Sequence, residues 1–164
     1  MLNTVKEVRP VQIKRILFPT DFSEFACHAL KYAISFAREY EAKLYIIHVV
    51  EEFANASYFD VLQVPLPPNL FSDIEERAKR QLTQLVASDQ FKGVQVETAV
   101  MRGVPFVEIV EFAREKEIDL ITIATHGRTG LKHAIFGGTA DKVVRKAPCP
   151  VLSVKHPEHE FVMP

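Results

Sequence analysis

Two segments of the chain, Leu44-Tyr45-Ile46-Ile47-His48-Val49-Val50 and Leu120-Ile121-Thr122-Ile123-Ala124, are almost unbroken runs of apolar and β-branched residues. A strand with one face in water alternates apolar with polar side chains. Runs this continuous therefore read as strands covered on both faces, the condition of a parallel sheet with helices above and below it. Three further apolar runs, Ile16-Leu17-Phe18, Val94 to Val100 and Val151 to Val154, read as strands of the same sheet. Around Val94, Val96 and Thr98 the pattern alternates instead, which places that strand nearer an edge.

Between the strands the period becomes helical. After Asp21-Phe22-Ser23, where Ser23 can accept from orphan amides, Leu30, Ala33, Ile34 and Ala37 share one face. Ile74, Ala78, Leu82 and Leu85 form a second stripe, with Glu75, Glu76, Lys79 and Arg80 turned to water. Pro105 suits the first turn of a third helix carrying Phe106, Ile109, Val110 and Ala113, since its missing amide is no loss there. A shorter fourth helix should run from Thr139 to Lys146 and stop at Ala147-Pro148-Cys149-Pro150. Strand alternating with helix throughout predicts βαβ units with right-handed crossovers, an α/β single domain built on an open, doubly wound, parallel five-stranded sheet. The 18-residue link from Glu51 to Pro68, with Pro65, Pro67 and Pro68 beside Phe53, Tyr58 and Phe59, is long for such a domain and reads as functional or as a cover for the sheet end.

Composition narrows the function. At 164 residues, 48% hydrophobic and 25% charged, the chain can bury roughly two thirds of its unfolded surface and needs no structural metal or disulfide. Twenty Lys and Arg against 21 Asp and Glu give a net charge of -1, so there is no bulk attraction to nucleic acid or to an anionic membrane. Cys27 and Cys149 lack metal-ligand spacing and are expected as small buried hydrophobes. Residues 1–10 carry no apolar signal run, and no stretch approaches the roughly 18 apolar residues of a membrane span, which predicts a cytoplasmic protein. No nucleophile, base and orienting group stand in a catalytic order, so binding is expected rather than strong catalysis.

The chemistry concentrates in two loops that begin at strand ends. One is Phe18-Pro19-Thr20-Asp21-Phe22-Ser23. The other is Ala124-Thr125-His126-Gly127-Arg128-Thr129-Gly130-Leu131, continuing to Phe136-Gly137-Gly138-Thr139. In an open α/β sheet, ligands sit outside the carboxyl ends of the strands where strand order reverses. The glycines at 127, 130, 137 and 138 let backbone amides approach a ligand, and a helix starting near Thr139 aims its positive end at the same place, a combination suited to phosphate. It is neither a Walker loop nor a Rossmann fingerprint, because it lacks the Gly-Lys-Ser/Thr ending and follows the fourth strand. Arg128, Lys132 and His133 could meet phosphate or form a solvated basic face. His48 reads as a core histidine, and His156 and His159 as part of a frayed tail rather than a metal site.

The motifs Ile16 to Ser23, Ile47-His48-Val49-Val50, Gly103-Val104-Pro105, Asp119 to Leu131, Gly137 to Val144 and Ala147 to Leu152 together resemble the universal stress protein family. The resemblance covers Lys14 to Lys155, with residues 1–13 and 156–164 as flexible termini. It implies strand order 3-2-1-4-5, a stress-response module that binds ATP or another adenine nucleotide, with or without magnesium, and at most weak ATP hydrolysis. The alternative is a dimeric interaction protein that binds no nucleotide. In ATP-binding members the last loop follows Gly-x2-Gly-x9-Gly-Ser/Thr. Gly127 and Gly137 match its second and third glycines, Ala124 replaces the first and Gly138 the hydroxyl residue. The implied nucleotide-binding residues are Pro19, Thr20, Asp21, Val49, Ala124, Gly127, Arg128, Gly130, Gly137, Gly138 and Thr139. Within that set, Asp21 lies on the adenosine side and Val49 meets the base through its backbone.

Losing the hydroxyl should weaken a phosphate contact by roughly 1.5–3 kcal/mol, and any need for positive φ at Ala124 would add about 1–2 kcal/mol. Thr139, one residue on from Gly138, could supply a substitute hydroxyl. The last strand, with Val151, Leu152 and Val154, would leave an unpaired edge. The resemblance implies that it pairs with a second copy to make a homodimer.

Overall fold

A computed structural model describes residues 10–51, 67–126 and 138–157. Five strands form one sheet: β1 (Arg15–Pro19), β2 (Lys43–Glu51), β3 (Val96–Gly103), β4 (Leu120–Ala124) and β5 (Val151–Val154). Their order is β3-β2-β1-β4-β5, and every pairing is parallel. The helices among the described residues are α1 (Glu24–Glu39), α2 (Leu70–Val86), α3 (Pro105–Glu115) and α4 (Gly138–Lys146), with a short 3-10 turn at Asp89–Phe91. None is long and apolar enough to cross a membrane.

Alternation along the central strands feeds two cores. Ile16 and Phe18 of β1 and Leu44 and Ile46 of β2 pack beneath α1 and α2, against Leu30, Ala33, Ile34 and Leu82. Leu17, Tyr45, Ile47, Ile121 and Ile123 pack on the opposite face against Ile109, Phe112 and Ala113 of α3 and Ala140 and Val143 of α4. This is why β2 and β4 read as continuous apolar runs: neither face is left to water. The alternating third strand is indeed at an edge, but it runs over Val96–Gly103 instead of Val94 to Val100, because its pairing with β2 begins at Leu44↔Val96 and extends as far as Glu51↔Gly103.

The central joint is short. β1 and β4 pair only at Ile16↔Leu120 and Leu17↔Ile121. Just before β4, the Asp119 carboxylate accepts from the backbone N–H of Lys14 (2.8 Å) and of Arg15 (2.9 Å), while the Asp119 N–H donates to the Arg15 carbonyl (2.9 Å). That clamp fixes the register at the amino ends of the two strands and leaves their carboxyl ends to part.

Two expectations about small residues need correcting or extending. Cys27 is exposed on the outer side of α1, not buried, because the buried face of that helix is taken by Ala26, Ala29, Leu30 and Ala33. Cys149 is half-buried, and its thiol is pushed up to about 11, first by burial and then by the negative charge of Asp119. Gly103 has φ +149, and a Cβ there would collide with the Glu108 carboxyl, which accounts for the glycine ahead of Pro105.

Thr122 lies in the centre of β4, fully buried, with no hydrogen-bond partner for its hydroxyl among the described residues. An unsatisfied buried hydroxyl is unfavourable, so the isosteric Thr122→Val should raise stability by about 1 kcal/mol in urea unfolding. A loss of stability in that variant would show that the hydroxyl is satisfied in solution.

Candidate functional site

The site begins where the sheet's order reverses. β1 and β4 are neighbours, yet the chain leaves β1 toward α1 on one face and leaves β4 toward α4 on the other, so their carboxyl ends open into a crevice. A cavity of about 970 Å³ occupies it.

The turn after β1 builds one wall. The Asp21 carboxylate accepts from the Ser23 N–H (3.0 Å) and the Ser23 hydroxyl (2.6 Å), and the Ser23 oxygen in turn accepts from the Ala26 N–H (3.2 Å) to cap α1. Phe22 takes a left-handed φ of 63, held by its N–H donating to the Thr20 hydroxyl (3.0 Å) and by its ring against the His48 ring, centroids 4.6 Å apart. His48 is half-buried in β2, and its Nδ1 lies 2.8 Å from the Thr20 carbonyl. A carbonyl can only accept, so Nδ1 carries the proton. His48 is thus a satisfied histidine and at the same time part of the cavity wall.

β2 supplies the second wall by outrunning β1. The Thr20 N–H donates to the Ile47 carbonyl (2.8 Å), while the β1–β2 register ends at Pro19↔Ile47. Backbone groups two residues apart on a strand point the same way, so those of Val49 point toward the space where β1 has already ended.

At β4, Ala124 closes the strand with ordinary backbone angles. Among the described non-glycine residues only Phe22, Glu41 and Glu117 have positive φ, so an alanine at position 124 carries no left-handed strain. Gly138 opens α4, with no atom of the described residues within 4 Å of where a Cβ would stand, and Thr139 follows it in the wall. Asp141 lies in the first turn of α4 and Arg145 and Lys146 in its last, an arrangement that complements the helix dipole.

Pro19, Thr20, Asp21, Val49, Ala124, Gly138 and Thr139 therefore come together around one cavity. Gly127, Arg128, Gly130 and Gly137, along with Lys132 and His133, lie outside the described residues. The structure adds a wall that the sequence reading missed: Ile74, Arg77, Ala78 and Gln81 of α2. Their spacing of i, i+3, i+4 and i+7 is itself a helical stripe, a signal masked by the neighbouring apolar stripe through Leu82 and Leu85. Among the described residues no group of three or more His, Cys, Asp or Glu is placed to hold a metal ion.

The profile of the universal stress protein family matches residues 12–155. The chain is 38% identical over 148 residues to universal stress protein MJ0531 of Methanocaldococcus jannaschii, covering 90% of this chain and 85% of that one. The solved structure of MJ0577, a universal stress protein of the same organism, aligns with a TM-score of 0.78 at 31% identity, over 90% of this chain and 99% of that one. Two more distant structures share the fold at 20% identity, each covering 88% of this chain and 98% of its own: a universal stress protein in complex with cAMP (TM-score 0.58) and one from Archaeoglobus fulgidus in complex with dAMP (TM-score 0.59).

Because Asp21 orients the hydroxyl that caps α1, Asp21→Ala should lower stability by about 1 kcal/mol, whereas Asp21→Asn retains an acceptor oxygen and should stay near the unaltered protein. Thermal unfolding of the pair checks this. Equal losses in both variants would mean that the charge, and not the acceptor geometry, supports the turn.

Proposed function

We propose that this chain, which belongs to the universal stress protein family, is a regulatory module that binds an adenine nucleotide in the crevice between β1 and β4, without strong catalysis. The observation that carries this reading is the convergence of four separate chain segments, at Pro19–Asp21, Val49, Ala124 and Gly138–Thr139, on one cavity. Each supplies a group that a nucleotide needs. Asp21 offers acceptor oxygens to sugar hydroxyls, Val49 offers backbone groups to the edge of a base, and the amino end of α4 favours phosphate. The adenine nucleotides held by two proteins of the same fold agree with this choice.

ATP is the proposed ligand, held weakly, because Gly138 brings no hydroxyl to the phosphates. Millimolar ATP should raise the melting temperature by a few degrees, since a ligand at about 10 times its Kd adds about 1.4 kcal/mol. Gly138→Ser should tighten ATP binding about tenfold, because no described residue crowds the added side chain and one charged hydrogen bond is worth roughly 1.5 kcal/mol or more. No shift with ATP, ADP, AMP or cyclic AMP would refute nucleotide binding and favour the interaction-protein alternative.

The assembly we propose is a two-fold dimer through β5. This strand forms the outer edge of the sheet, and Val151, Leu152 and Ser153 are half-exposed there while Val154 is already buried within the chain. Pairing two copies of the edge satisfies both and stops growth at two chains. Leu152→Lys should give a folded monomer in sedimentation. A monomeric unaltered protein at tens of micromolar would exclude the dimer.

A further inference from the structure

The α2 wall has no role in the reading above, and two of its polar side chains reach the cavity without a described protein partner. Gln81 is half-buried at the cavity, yet its amide makes no hydrogen bond to any described residue. Arg77 has no carboxylate partner among the described residues, although Arg80 on the same helix pairs with Glu76 (3.4 Å) and Arg102 of β3 reaches Glu75 (2.8 Å). The wall itself is well anchored. Besides binding Glu75, the Arg102 guanidinium lies over the Phe71 ring at 5.0 Å, and Ala78 and Leu82 are buried against the sheet. An anchored helix thus presents a planar cation and an amide to the cavity, with the small Ala78 leaving room between them.

The position of the wall decides what it can meet. α2 packs over β2 and β3, whereas α4 packs beside β5 on the opposite face of the sheet. With roughly 4.8 Å between neighbouring strands, β2 and β5 are about 14 Å apart across β1 and β4. A nucleotide whose phosphates lie at the amino end of α4 would extend its base, not its phosphates, toward α2.

On this basis we infer that α2 is the base-reading wall of the nucleotide cavity, with Gln81 selecting adenine and the Arg77 guanidinium stacking on the purine ring. The inference rests on the nucleotide reading above. A carboxamide offers one donor and one acceptor side by side, matching the N6 amino group and N7 of adenine, and it mismatches guanine, whose N7 and O6 both accept. A guanidinium plane stacks on either purine.

Titration calorimetry on the intact chain with ATP, GTP and adenosine separates these roles. Unaltered protein should prefer ATP to GTP. Gln81→Leu should weaken ATP about tenfold and bring the ATP-to-GTP ratio near one, and Gln81→Glu should do the same, guarding against a packing artefact in the leucine variant. Arg77→Met should weaken ATP, GTP and adenosine by similar factors. Neither position is buried, so the melting temperatures of the ligand-free variants should match that of the unaltered protein and show that they fold. If ATP binds but both Gln81 variants keep the original ratio, the assignment of Gln81 is wrong. If Arg77→Met weakens ATP but leaves adenosine unchanged, Arg77 reads phosphate and the orientation is overturned. If the unaltered chain binds none of the three, the nucleotide reading itself fails, an outcome distinct from both.

Discussion

The clamp that Asp119 places on the start of β1 sets the geometry of everything above it. By accepting two backbone N–H groups from Lys14 and Arg15, one carboxylate fixes the register of the two central strands at their amino ends. Only two residue pairs of β1–β4 ladder follow before the strands separate. Had the ladder continued to the strand ends, the backbone groups there would pair with each other and the crevice would close. The cavity exists because the central joint is held firmly at one end and left open at the other.

The open end then needs a turn that neither collapses into the cavity nor frays. Phe22 in a left-handed conformation is disfavoured by about 1–2 kcal/mol for a residue with a side chain. The Thr20 hydroxyl, the Phe22–His48 ring contact and the Asp21-supported cap of α1 surround that one dihedral. Each local hydrogen bond contributes about 1 kcal/mol net, so together they are enough to hold the strained angle. The polar residues that line the crevice therefore also carry the local stability of its rim, and a ligand would meet a wall already arranged.

Much of this was legible in the residues because period and punctuation agree. The two-sided burial of β2 and β4, the Ser23 cap, Pro105 at the start of α3 and the edge position of β3 all follow from patterns a few residues long. The order 3-2-1-4-5 is a long-range fact that no local pattern encodes, and it came only through family resemblance. The residues gathered at the β1 and β4 ends were visible because their loops are rich in turn formers. Arg77 and Gln81 were not, because a polar residue one position off an apolar helical stripe looks like solvent-facing surface until the helix is placed over the strand ends. Cys27 failed for the complementary reason. Residue type suggested burial, but its position in α1, one residue after the buried Ala26, turned it outward.

The charges around the cavity also bear on which way round a nucleotide would lie. Asp21 and Glu51 are the carboxylates among its described lining residues, and both belong to the β1–β2 side. A phosphate placed there would meet like charge, at a cost that exposure of Glu51 to water screens but does not remove. At the opposite side stands the amino end of α4, and a helix amino end carries a partial positive charge of roughly half a unit. Sugar hydroxyls reverse the preference, because they carry no charge to be repelled and can donate to the carboxylates. Arg77 on the α2 wall adds a cation to the carboxylate side, which a stacked base can meet with its π face without bringing a phosphate up to the two carboxylates.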